Sequence, residues 1–326
     1  MSDAGLIWTF VQRLGINQYV YCFSYLGDNV VIAGGYWDGR IHRSQDNGLT
    51  FPTSQQLGLT TTIYALASCG NGVIVAGCYP YERMWRSTDN GLNWNGFNLA
   101  DPGAQPRALA YLDNDIVIAG VWPSAGIYRS ADAGETWSFI RGLGTEKTVR
   151  SLVYLGNNVA IAGTSEHGQI WRSTDAGLTW TFIQQLGTQT YVYSLAYLGN
   201  DIVIAGTRGN GDIYRSTDAG LTWTWMQRLS PNTKILSLAS LGDGIAVAGT
   251  AEFGQIWRSA DYGETWALAQ TLTEETQIYA LALIEGGTAL AGTYRGGQVW
   301  RSIPFSYGDI ILNPISSRWN CTGAPP

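Results

Sequence analysis

Apolar residues along this chain come in short runs that alternate with polar ones or continue for a few positions, and the runs are separated by Gly, Asn and Asp. The stretch from 192 to 226 shows the pattern in full. Val192-Tyr193-Ser194-Leu195-Ala196-Tyr197-Leu198 leads into the turn Gly199-Asn200-Asp201, and Ile202-Val203-Ile204-Ala205-Gly206 follows. After a Gly-rich loop come Ile213-Tyr214-Arg215-Ser216, the turn Asp218-Ala219-Gly220, and Thr222-Trp223-Thr224-Trp225-Met226. Such runs between turn residues read as four short strands. No helical period is sustained, which excludes a helical solenoid.

The same unit returns along the chain. Arg-Ser recurs with its serine at Ser44, Ser87, Ser130, Ser173, Ser216, Ser259 and Ser302, a constant step of 43 residues. Before each serine lies an Ala-Gly pair, from Ala33-Gly34 to Ala291-Gly292. Four strands in a unit of this length match a propeller blade. The chain is therefore predicted to be all-β, a seven-bladed β-propeller with four antiparallel strands per blade. Gly5 to Gly15 repeats Gly177 to Gly187 nearly letter for letter, four units earlier. The chain is thus expected to begin in the last strand of a blade. Residues 3–13 would complete the last blade begun by about 277–302, giving a domain over 1–302 and a tail over 303–326. That closure removes the open edge strands that invite aggregation.

Six copies carry Ser-x-Asp-x-Gly-x-x-aromatic in full, with Asp46, Asp89, Asp132, Asp175, Asp218 and Asp261 and the aromatics Phe51, Trp94, Trp137, Trp180, Trp223 and Trp266. A seventh is split: Ser302 supplies its serine, and Asp3-Ala4-Gly5-Leu6-Ile7-Trp8 supplies the rest. In residues 1–302 the pattern resembles the Asp-box (bacterial neuraminidase repeat) families. These include sialidases, sortilin-like receptors, some glycoside hydrolases and a photosystem II assembly factor. The resemblance implies a propeller and leaves activity open. Physically, Asp and Ser side chains fix a tight turn and Gly supplies its positive φ. Each buried Trp contributes on the order of 4–6 kcal/mol gross, from roughly 150–250 Å² at about 25 cal/mol/Å². The aspartates are expected to be architectural, because catalysis needs groups converging at one point and these are spread over every unit.

Composition narrows the function classes. The chain has 326 residues, 45% of them apolar and only 13% charged, with 41 glycines and 14 tryptophans, as many short aromatic-rich strands require. A net charge of −6 disfavours phosphate binding, so no nucleic-acid partner is expected. No run is long enough for a membrane span, and Met1-Ser2-Asp3-Ala4-Gly5 lacks the basic and apolar segments of a secretory signal. The compartment stays unassigned. Cys22, Cys69, Cys78 and Cys321 have no metal-like spacing and read as small buried apolar residues, and no metal or cofactor motif is present.

Comparison of the units with one another locates the candidate site. The loop between second and third strands changes in nearly every unit, as does the one leading to the next unit, for example Thr145-Glu146-Lys147. In an antiparallel blade both emerge on one face, opposite the Ser-x-Asp-x-Gly turns, and binding residues concentrate on variable loops over a rigid frame. This variable face is expected to carry Tyr36, Trp37, Tyr79, Tyr81, Trp122, Phe253 and Tyr294 with Glu166, His167, Arg208, Glu252 and Arg295. Near it, Tyr21, Tyr64, Arg107, Arg150, Tyr193, Leu236 and Tyr279 share one register. Arg107 and Arg150 interrupt that mostly tyrosine series as an anion-binding pair or as solvated rim residues.

Aromatic platforms beside polar groups suit sugar rings or a protein surface. The expected function is a non-catalytic module that binds a glycan or a protein partner. A sialidase-like or other glycoside hydrolase is the enzymatic alternative. Resemblance to a sialidase would require an arginine triad, a Tyr–Glu pair and a general acid, but the family's early Arg-Ile-Pro segment is missing. Glu166 and Glu252 lie two units apart, further than the roughly 5–9.5 Å between paired glycosidase carboxylates. A structural or virion-associated scaffold, or a photosystem-assembly-like propeller, is the third class. For these, residues 303–326 are either a strap or an anchor for an assembly partner.

Overall fold

The computed structural model describes residues 7–15, 19–59, 62–80, 83–188, 191–230, 233–272, 277–294 and 296–302. Asp3, Tyr81, Arg295, Cys321 and the predicted tail 303–326 lie outside the described residues. Within them the chain is all-β, with one short helical turn, Glu285–Gly287.

The strands form five antiparallel sheets. Gln105–Asp113, Ile116–Trp122, Gly126–Ser130 and Ser138–Gly142 make one in simple order, and Ile235–Gly242, Ile245–Thr250, Gln255–Ser259 and Ala267–Thr271 make another. Two eight-stranded sheets each consist of two such foursomes. In one, Tyr19–Gly27, Val30–Tyr36, Arg40–Ser44 and Thr53–Gln56 join Thr62–Gly70, Val73–Tyr79, Met84–Ser87 and Asn95–Phe97 through the single pair Tyr36↔Thr62. In the other, Thr148–Gly156, Val159–Ser165, Gln169–Ser173 and Thr181–Gln185 join Tyr191–Gly199, Ile202–Arg208, Asp212–Ser216 and Thr224–Arg228 through Ser165↔Tyr191. The last sheet takes Ile278–Leu283, Ala289–Thr293 and Gln298–Ser302 from the end of the chain and Trp8–Arg13 from its beginning, paired from Trp8↔Ser302 to Arg13↔Gln298.

Successive first strands pack on one another, and Ile278–Leu283 packs back against Tyr19–Gly27. The Ala-Gly glycines make this packing possible. A Cβ on Gly120 would lie 2.4 Å from Val149, one on Gly206 2.4 Å from Ile235, and one on Gly292 2.6 Å from Val20. Each of these glycines thus receives a β-branched residue from the first strand of the following foursome, Gly292 from the first one, and Gly77 receives Pro106 in the same way. Trp180 shows how the turn aromatics fill the remaining space: it shares a core with Ile118 and Ala162 on neighbouring foursomes. Cys22, Cys69 and Cys78 are buried.

From Ser44 to Ser259 the serine of each described turn makes the same bonds to its aspartate and glycine. Ser216 Oγ donates to Asp218 Oδ1 at 2.7 Å, and Gly220 N donates to Ser216 Oγ at 2.9 Å. Thr222 N and Oγ1 donate to Asp218 at 2.9 and 2.6 Å, while Trp223 Nε1 donates to Gly220 O at 3.1 Å. The arginine before the serine ties neighbours together: Arg172 Nε donates to Ala219 O, 47 residues on, as Arg129 Nε does to Ala176 O. Partial burial pushes the carboxyls of Asp46, Asp132, Asp175, Asp218 and Asp261 up. The hydrogen bonds from Thr, Ser and backbone N–H outweigh it and hold them below the ordinary carboxylate range. At Asp89 the bond from Asn93 N is the largest cause, and the value falls to about 2.

A carboxyl depressed in the fold stabilises it above the unfolded pKa of about 3.9, and that contribution is lost as pH falls through the folded value. The melting temperature is therefore expected to fall steeply between about pH 4 and pH 2. Asp89→Asn should flatten that fall, measured by circular dichroism melts at stepped pH. A profile equally steep in the variant would detach the effect from Asp89.

Candidate functional site: a tyrosine and arginine mouth

First strands begin, and second strands end, at the same edge of each sheet, so the two positions pair across strands. Tyr19 pairs with Tyr36, Thr62 with Tyr79, Gln105 with Trp122, Thr148 with Ser165 and Tyr191 with Arg208. Because the first strands adjoin, these edges gather. Tyr21, Tyr64, Tyr193, Leu236, Ala251 and Tyr279 form one buried cluster, with half-buried Tyr19, Tyr36, Tyr79, Tyr191 and Tyr294 packed on it.

Ring geometry within the cluster is regular. Tyr19 stacks on Tyr294 at 4.2 Å and on Tyr36 at 5.2 Å, and Tyr21 stacks on Tyr36 at 5.6 Å and Tyr64 at 6.3 Å. Tyr279 meets Tyr21 edge-on at 4.9 Å, and Tyr191 stacks on Tyr193 at 5.5 Å. Burial, the largest cause in each case, pushes the hydroxyls of Tyr21, Tyr64, Tyr193 and Tyr279 above the ordinary tyrosine range. At neutral pH they are protonated donors rather than nucleophiles.

Four guanidiniums lie on these rings, Arg83 among them with its Cζ 5.1 Å from the Tyr79 centroid. Arg107 Cζ sits 3.8 Å from the Tyr64 centroid, Arg150 is 5.5 Å from both Tyr191 and Tyr193, and Arg208 is 4.8 Å from Tyr191. Arg150 is only 6% exposed, and Arg107 is half-buried with its Nη2 donating to Gln105 Oε1 at 2.9 Å. Such contacts are worth about 0.5–2 kcal/mol each, more where desolvated. Arg107 and Arg150 are thus packed on tyrosine rings and largely withdrawn from solvent, Arg150 more than Arg107.

Outside the cluster the variable loops are pinned individually. Glu146 is buried and accepts from Thr164 Oγ1 at 2.7 Å and His167 N at 3.3 Å, with His167 Nδ1 at 2.6 Å from its carboxylate. Lys147 pairs with Glu166 at 3.5 Å, and Arg228 with the buried Asp212 at 3.0 Å. Thus the loop after a second strand is bonded to the segment entering its own first strand, and both lie at one face. Trp37, 62% exposed, and Phe253, 60% exposed, stand outward on that face with Trp122, Glu252 and the His167 ring.

The residues read from sequence divide accordingly. Tyr36, Tyr79, Tyr294, Arg107, Arg150 and Arg208 come together in the mouth. Trp37, Trp122, Glu166, His167, Glu252 and Phe253 form a more exposed fringe, in which Trp37 meets Tyr36 edge-on at 5.4 Å, and Tyr81 and Arg295 are outside the described residues. Sequence reasoning missed Tyr19 and Tyr191, although they occupy one register of the repeat. It also missed Glu146 as the partner of His167. Among the described residues no group of three or more His, Cys, Asp or Glu side chains could hold a metal, and no helix is long and apolar enough to cross a membrane.

No family model matches the sequence, and no curated protein matches it. Solved structures do resemble the fold. YCF48 from Cyanidioschyzon merolae superposes with a TM-score of 0.72 at 14% identity, covering 90% of this chain and 98% of that one. A structure of YCF48 bound to D1 peptide gives 0.73 at 17% identity, covering 91% and 94%. The GH74 xyloglucanase from Xanthomonas campestris gives 0.69 at 16% identity, covering 90% of this chain but 53% of that enzyme. At this identity the likeness establishes the fold alone. The chain is a β-propeller.

Proposed function

We propose that this propeller is a seven-bladed Asp-box ring, closed by its own N-terminal strand, that works as a non-catalytic binding module for a protein partner. The turn aspartates are its architecture, and the loop face with its tyrosine and arginine mouth is its binding surface. The observation that carries this reading is the convergence of Tyr19, Tyr21, Tyr36, Tyr64 and Tyr294 into one stacked platform at the mouth. Tyrosine supplies large contact area and a polar tip at low entropic cost, and it is enriched where interfaces hold most of their energy. The solved YCF48 complex with D1 peptide lends support from the same fold. Glycans are the other class that an aromatic platform serves.

Affinity capture with mass spectrometry, run beside a glycan array, tests the proposal. A protein captured by the native chain should be lost with Tyr36→Ser/Tyr294→Ser and kept with the turn-face variant Leu92→Ser/Leu221→Ser, whose leucines are exposed on the opposite side. Array binding without protein capture would make the ligand a glycan. Turnover of a fluorogenic sialoside would replace the binding module with an enzyme.

A further inference from the structure

Positive charge at the mouth is not spread evenly. It lies on consecutive foursomes: Arg83 over Tyr79 and tied to Pro102 O, then Arg107 and Arg150 near the starts of their first strands, Arg208 at the end of a second strand, and Lys234 just before Ile235–Gly242. Arg150 and Arg208 share the ring of Tyr191. Arg150 is close enough to bear on Arg107, and Arg208 on both Arg150 and Lys234, each pair like-charged. Guanidiniums do not relieve such repulsion by losing a proton. Held side by side in a partly desolvated edge, they favour an anion, most of all a planar carboxylate that a guanidinium fork can grip.

The rest of the molecule strengthens this. Asp46, Asp89, Asp132, Asp175, Asp218 and Asp261 all lie in the repeated turns, on the face opposite the loops. A chain of net charge −6 therefore carries an acidic turn face and a cationic arc at its mouth. That polarity steers an acidic segment toward the mouth and away from the turns. Glu252 bears on Lys234 at one end of the arc, while Glu146, Glu166 and Asp212 of the same loop face are held by His167, Lys147 and Arg228.

We propose that Arg107, Arg150, Arg208 and Lys234 form a carboxylate subsite that takes an acidic peptide segment of the protein partner. The inference rests on the reading of the loop face as a protein-binding surface and names the chemistry of what binds there. The carboxylates can come from Asp or Glu side chains or from a free C-terminus.

Fluorescence anisotropy with labelled peptides decides between these. The probes are oligoglutamate with a blocked C-terminus, oligoglycine ending in a free carboxylate, oligolysine, and a sulfated oligosaccharide. Oligoglutamate, the free-carboxylate peptide or both should bind and weaken as salt rises, and oligolysine should not bind. Arg208→Gln/Lys234→Gln should weaken binding by about tenfold or more, as loss of charge-assisted hydrogen bonds does. Lys147→Gln, an exposed loop-face cation outside the arc, should change it less than about twofold. Both variants leave Arg107 and Arg150 in place, and a melting curve checks each fold. An equal loss with Lys147→Gln would overturn the arc. Binding of the sulfated oligosaccharide with neither carboxylate peptide bound would overturn the peptide class. Failure of both carboxylate probes while the partner of the preceding section is still captured would overturn the subsite and leave the protein-binding reading intact.

Discussion

Deleting residues 1–13 is expected to abolish cooperative folding or to lower the melting temperature by tens of degrees. The reason is how much of the last sheet this segment completes. Trp8 is 2% exposed in a core with Ala239, Val247, Ile278 and Ala289. Its backbone N donates to Gln270 Oε1 at 2.7 Å, and Gln270 Nε2 donates back to Trp8 O at 3.0 Å. The same bracket recurs between Gln184 and Trp223 and between Gln227 and Trp266, so Trp8 occupies a regular place in the repeat. Losing a buried Trp alone costs about 3–5 kcal/mol. The whole domain is held by roughly 5–15 kcal/mol. Removing the strand would also bare the edge of Gln298–Ser302, which invites intermolecular pairing. Circular dichroism melts and size-exclusion chromatography measure both effects, and a synthetic 1–13 peptide added in trans should restore part of the stability. A truncated chain that melts within a few degrees of the native one would remove the closing role of this segment.

Gly206→Ala is the second large effect, and it comes from a single added methyl. The new Cβ would meet Ile235 Cγ2 at 2.4 Å, Ile235 Cβ at 2.7 Å and Ser194 Oγ at 2.8 Å. Ile235 is fully buried, and close-packed interiors give little room for a shift. Overpacking of this kind costs about 1–3 kcal/mol and occasionally more. Ile235→Ala alone should also destabilise, by about 2–5 kcal/mol for the cavity. Together the two should cost less than their sum by about 1–3 kcal/mol, because the methyl fills part of the space the isoleucine leaves. Chemical denaturation of the three variants gives that coupling. Strict additivity would mean that Gly206 and Ile235 do not meet as described.

The glycine result marks how far sequence could be read. The Ala-Gly pairs stood out by their spacing, yet nothing local says what a second-strand glycine makes room for. The answer, a Val, Ile or Pro from the next first strand, lies beyond two intervening strands and, for Gly292, at the other end of the chain. The turns were legible in more detail because Ser216, Asp218, Gly220 and Thr222 bond to one another within seven consecutive residues. Arg150 was visible as an interruption of a tyrosine series, but its setting against Tyr191 and Tyr193 depends on two strands meeting edge to edge. His167 was visible as a loop residue, whereas the carboxylate that holds it, Glu146, sits in the preceding loop.

Sequence by itself determined the repeat, the strands, the turns and the identity of the variable loops, since each rests on residues close together in the chain. Tertiary structure decided which of those loop and edge residues share one site. Tyr19 and Tyr294 stack at 4.2 Å although almost the whole chain separates them. They meet because the last sheet takes its final strand from the beginning of the chain, which brings both ends to the same edge of the fold.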